Sequence, residues 1–83
     1  MINAKEAKKM TTDYISELVE KHIHTIEGTV KEYASKGRNY TYYANGLHNA
    51  DPRVKAGVLA VLQEAGYKAR WGETQLCISW EEA

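Results

Sequence analysis

Phenylalanine is absent from the chain, and cysteine and proline occur once each. The lone Cys77 excludes an intramolecular disulfide, so the core has to hold the fold without a covalent staple. Neither charge sign is in excess, with eleven Lys and Arg against eleven Asp and Glu. That balance removes any bulk electrostatic reason for nucleic acid, an anionic membrane or a basic protein as partner. No apolar run approaches the roughly 18 residues that cross a bilayer. The opening MINAKEAKKM carries charges where a secretory signal has its apolar core, so a cytoplasmic protein is expected. The phosphate-binding patterns GxxxxGK[ST] and GxGxxG are missing as well. What is present is 83 residues, 43% hydrophobic and 27% charged, an ordinary globular mixture that fits one domain over residues 1–83.

Asn3 followed by Glu6 reads as a capping box, and Gly37 supplies a left-handed stop, so a helix is expected over residues 4–35. Between these ends Ala7, Tyr14, Ile15, Leu18, Val19, His22, Ile23, Ile26, Val30, Tyr33 and Ala34 recur at helical spacing. A helix of that length spans roughly 48 Å, against roughly 25 Å for a domain this small. Residues 1–12 are therefore expected to overhang as an arm, unless Thr11, Thr12 and Asp13 break the helix near Thr12.

Tyr40, Thr41, Tyr42, Tyr43 and Ala44 read as a short strand. Asn45-Gly46 is expected to open a loop and not a hairpin, because Leu47, His48, Asn49 and Ala50 are weak strand material and Asp51-Pro52 starts a second helix. Val54, Val58, Leu59, Val61, Leu62 and Ala65 give that helix an apolar face, ended by Gly66-Tyr67. Residues 67–71 and 74–80 flank Gly72-Glu73, whose glycine suits a two-residue type II′ hairpin turn. The expected class is α+β, in the order helix, strand, helix, strand, strand. A strand-helix-strand passage followed by a hairpin gives an antiparallel sheet of order 1-3-2, with the most apolar strand central. Both helices then cover the face bearing Leu76, Ile78 and Trp80. The other face is left bare, showing Gln75, Cys77, Ser79, Lys68, Arg70 and some of the tyrosines.

His22 and His24 are two apart, so on a helix they point in different directions and do not share a metal, and surface histidines are expected. Cys77 lies in a strand with no base motif around it and reads as a packing residue. Lys5, Lys8 and Lys9 make the arm basic at the end where the helix dipole already disfavours positive charge. Six tyrosines and two tryptophans form a skewed aromatic set close in sequence to cations. Rings stack on bases and guanidinium groups hold phosphates, so Arg38, Tyr40, Tyr42, Tyr43, Lys68, Arg70 and Trp71 are the candidate ligand-binding residues. Tyrosines in strands are also ordinary core and rim residues, and Tyr, Trp and Arg are common at protein interfaces.

The segments INAKEA at residues 2–7, LQEAGY at 62–67 and ISW at 78–80, in this order of elements, resemble a type of small bacteriophage-encoded protein. The resemblance covers nearly the whole chain but rests on fold signals, and no site residues carry over from it. It implies a viral protein of a bacterial host that acts by stoichiometric binding, without catalysis or cofactor. Its sharpest form is an oligomeric anti-defence sponge that sequesters a cyclic nucleotide or related signal. The alternative is an inhibitor or adaptor that grips a host protein with the N-terminal helix and the open sheet face. Nucleic acid is disfavoured by the neutral charge.

Overall fold

A computed structural model describes residues 1–81. The first helix, α1 (Ala4–Ser35), begins where Asn3 Oδ1 accepts the Glu6 N–H at 2.8 Å and Asn3 Nδ2 donates to the Glu6 carboxylate at 3.2 Å. The helix runs unbroken as expected, and the alternative of a break near Thr12 does not occur. Thr11 and Thr12 turn their hydroxyls back onto the carbonyls of Ala7 and Lys8, at 3.1 and 3.0 Å, and stay within the helix.

The second helix, α2 (Pro52–Glu64), starts on Asp51, which accepts the Arg53 N–H at 2.8 Å. Both helices end in the same paired closure. Arg38 and Gly37 donate to Tyr33 and Ala34 at 3.0 Å each, as Tyr67 and Gly66 do to Leu62 and Gln63. Gly37 and Gly66 adopt φ of 82° and 96°, where a side chain would be strained.

Between the helices, Asn45 and Gly46 both have positive φ, 42° and 75°, and the Leu47 N–H bonds Ala44 O at 2.8 Å. The Asn-Gly pair thus makes the left-handed turn typical of hairpins. It feeds a 3₁₀ turn at Leu47–Asn49 instead of a return strand, because Leu47 is pulled fully into the core.

Three strands, β1 (Tyr40–Tyr43), β2 (Lys68–Trp71) and β3 (Leu76–Ser79), form an antiparallel sheet in the order β1-β3-β2. The α+β class and the sheet order follow the expectation from sequence. The β2–β3 turn does not. Trp71 pairs with Leu76, so residues 72–75 form a four-residue loop closed by the Gly72 N–H on Gln75 O at 2.7 Å. Gly72 is not among the positive-φ glycines, which excludes a type II′ turn centred on it. The register moved by two residues, and side chains alternate with period two, so Leu76 and Ile78 still point inward.

The core joins Ile26 and Val30 of α1, Val54, Val58 and Leu62 of α2, Leu47, and the inward strand residues Tyr43, Leu76 and Ile78. Helix α1 contributes fully buried side chains only near its C-terminal end. Met10 and Tyr14 are 63% and 60% exposed, so Tyr14 drops out of the expected core stripe. The molecule measures 54 × 23 × 18 Å, with a radius of gyration of 14.7 Å where a compact chain of this length has about 12 Å. The excess length is the free N-terminal part of α1.

Candidate functional site

Pleating sends alternate side chains of each strand to opposite faces, and the helices cover only one face. On the bare face the register builds two rows across the sheet. Tyr40, Ser79 and Lys68 form one, and Tyr42, Cys77 and Arg70 form the other. Tyrosines thus line one edge, cations line the other, and two small side chains floor the middle.

The result is a shallow trough of about 400 Å³, with Glu81 at its end. Adjacent strands lie about 4.8 Å apart, which puts the aromatic and basic walls about 10 Å from each other. Tyr40 and Tyr42 are 49% and 56% exposed and meet edge to face, ring centroids 5.8 Å apart. They offer both ring surface and hydroxyl donors to anything lying in the trough.

Of the seven residues singled out from sequence, the structure brings together Tyr40, Tyr42, Lys68 and Arg70. Tyr43 and Trp71 are neighbours of trough residues in sequence and therefore face the other way. Tyr43 is 5% exposed, with its hydroxyl 2.7 Å from His22 Nδ1 and accepting from Asn45 Nδ2 at 3.2 Å. Trp71 packs against the core with the Lys55 ammonium 4.6 Å from its ring centroid. Arg38 sits in the closing turn of α1, its guanidinium 5.7 Å from the Tyr33 ring centroid. That contact joins the two residues linked by the helix-ending backbone hydrogen bond, and it places Arg38 outside the trough. Glu81 was missed, although continuing the alternation from Cys77 and Ser79 finds it.

His22, expected at the surface, is half-buried under Tyr43, while His24 and His48 are exposed. Among the described residues no three His, Cys, Asp or Glu side chains gather closely enough to hold a metal ion. None of the helices is long and apolar enough to cross a membrane among those residues. The trough sets exposed tyrosine rings and hydroxyls opposite an ammonium and a guanidinium, groups that can stack on a flat ring and hydrogen-bond an anion.

The chain matches no protein-family model, no curated protein and no solved structure.

Proposed function

We propose that this protein acts by stoichiometric binding, without catalysis, and that its trough captures a nucleotide. The carrying observation is the split of the bare sheet face into an aromatic wall, Tyr40 and Tyr42, and a basic wall, Lys68 and Arg70. A base laid on the tyrosines directs its phosphate toward the cations. Glu81 makes the end beyond Ser79 less favourable for an anion, which leaves the Arg70 row as the phosphate position.

Size suits a small ligand, because a trough of about 400 Å³ lies within the range of small-molecule sites. In this reading the protein is a phage-type, oligomeric anti-defence sponge in the bacterial cytoplasm, holding a cyclic nucleotide or related signal out of circulation.

Native mass spectrometry of protein freshly purified from bacterial cells tests the reading, followed by calorimetric titration with cyclic and linear nucleotides. Retained mass of a few nucleotides per assembly, with binding weakened roughly tenfold or more in Arg70→Ala, supports it. Absence of binding to every nucleotide tried, or binding indifferent to Arg70→Ala and Tyr42→Ala, removes it. The free arm of α1, with Met10 and Tyr14 exposed, favours the second reading, an inhibitor or adaptor that docks on a host protein. Deletion of residues 1–12 then abolishes capture of that protein while circular dichroism still reports the folded body.

A further inference from the structure

Residues three and four apart line up along a helix, and α1 carries two such lines. One, through Ile15, Val19, Ile23, Ile26 and Val30, packs on the core. The other runs through Ala7, Met10, Tyr14, Glu17, Lys21, His24 and Gly28, and it lies outside that core from end to end. It changes character along its length. The arm supplies apolar side chains, the middle supplies opposite charges, and the far end supplies Gly28, where an added Cβ would meet nothing within 4 Å.

We propose that this second line is the interface for a second copy of the chain, with the two α1 helices antiparallel about a two-fold axis near Val19. In that register Met10 lies on the bare helix surface at Gly28 of the partner copy, and Tyr14 lies against its His24. Glu17 meets Lys21 of the other copy twice, once on each side of the axis. Ala7 makes room for the long side chain of Lys31. The layers thus set large side chains against small ones at Met10 with Gly28 and Ala7 with Lys31, two rings together at Tyr14 with His24 and opposite charges at Glu17 with Lys21, and the spacing is that of antiparallel coiled coils.

Two further observations favour a copy of this chain over another occupant. Glu17 and Lys21 are both exposed and, among the described residues, neither has an ion-pair partner, although they stand four apart on one helix. The acidic side chains that would oppose each other beside the seam, Asp13 and Glu27, are already paired within their own helix, to Lys9 at 2.9 Å and Lys31 at 3.2 Å. Glu20 nears its own copy at the axis, on a flank where it is exposed and both carboxylates stay in solvent.

Length gives the same answer. An isolated helix shorter than roughly 12 to 15 residues is marginal in water, and the arm projects beyond the body with no side chain fully buried before Ile26. Antiparallel pairing lays each arm along the anchored half of the other α1. This interface gives the oligomeric part of the proposed function a surface, and its test reads subunit number without any ligand, so the two readings fail separately.

The experiment is sedimentation equilibrium on the full chain, with circular dichroism to confirm the fold of each variant. A dimer is expected for the unaltered protein. Tyr14→Glu and Glu17→Lys each weaken it at least tenfold, and Glu17→Lys combined with Lys21→Glu restores it, because the opposite charges again meet across the axis. A monomer overturns the proposal, as does a dimer that ignores Tyr14→Glu and Glu17→Lys. A double variant that stays monomeric overturns the register. Unchanged nucleotide binding by a monomeric Tyr14→Glu protein would leave the trough standing by itself.

Discussion

Gly57 of α2 lies against Val19 of α1 so closely that a Cβ on Gly57 would come within 2.7 Å of Val19 Cγ2. Alanine at this position gains roughly 1 kcal/mol of helix propensity. The overlap outweighs it, because valine is confined to one rotamer in a helix and overpacking costs about 1 to 3 kcal/mol. Gly57→Ala is therefore destabilising in a urea melt. Val19→Ala is destabilising by itself, yet added to Gly57→Ala it recovers part of the loss, and that non-additivity is the measurement that checks the contact.

Tyr43 ties three elements together. Its hydroxyl accepts from Asn45 Nδ2 and lies 2.7 Å from His22 Nδ1, and if it donates its own proton there the imidazole proton resides on Nε2. Tyr43→Phe removes both contacts, leaves the half-buried His22 Nδ1 without this partner and is expected to cost about 1 kcal/mol. Nitrogen chemical shifts of His22 check the tautomer, and a phenylalanine variant as stable as the parent would contradict the network.

Helix ends and sheet order were legible in the sequence because they rest on local chemistry. Asn3 and Glu6, Gly37, Asp51-Pro52 and Gly66-Tyr67 each satisfy backbone groups within a few residues of themselves. The hairpin loop was not legible. Shifting β3 by two residues preserves its alternation, so the buried pattern of Leu76 and Ile78 fits two loop lengths equally well. The site was half legible for the same reason in reverse. Tyr42 and Tyr43, like Arg70 and Trp71, are adjacent in sequence, and adjacency in a strand guarantees opposite faces. Grouping residues by closeness in sequence put both members of each pair in one site.

The glycines at the two ends of β2 are not equivalent. Gly66 has φ of 96°, and replacing it with alanine forces an L-residue into a backbone region costing about 1 to 2 kcal/mol. Gly72 lacks positive φ, and its added Cβ would lie 3.3 Å from Gln75 O, a tight contact relieved by a small loop adjustment. Gly72→Ala is thus expected to lose less stability than Gly66→Ala. The reverse order would restore the two-residue turn.

Asp51 binds Arg53 through two side-chain contacts, 3.0 and 2.7 Å, besides the helix-capping bond. The Arg53 hydrogen bonds lower its pKa from 3.8 to about 2. A depressed carboxylate pKa adds stability that is complete above the unfolded value and disappears as pH falls through the folded one. The contribution is accordingly full above pH 4 and lost toward about pH 2. Asp51→Asn keeps an N-cap but not the ion pair. The gap in melting temperature between it and the parent should close as acid is added across that window, and a constant gap would assign Asp51 a capping role alone.

Charges at the two ends of the trough should act on an anionic ligand in opposite directions. Arg70 faces Cys77 and Tyr42 in the middle of the sheet, while Glu81 lies beyond Ser79 at the rim. Removing a hydrogen bond to a charged group costs about 1.5 to 3 kcal/mol, so Arg70→Ala weakens nucleotide binding by roughly 10- to 150-fold. Glu81→Gln removes a repulsion screened by solvent and strengthens binding by a few-fold at low salt. Tyr42→Leu keeps apolar bulk but loses the stacking surface, and it discriminates against the base more than against inorganic phosphate. Tyr43→Phe, on the covered face, leaves affinity unchanged. Calorimetric titration of these four variants separates a trough that reads a base and a phosphate from a cationic patch that attracts any anion, since the patch alone responds to Arg70 and Glu81 but ignores Tyr42.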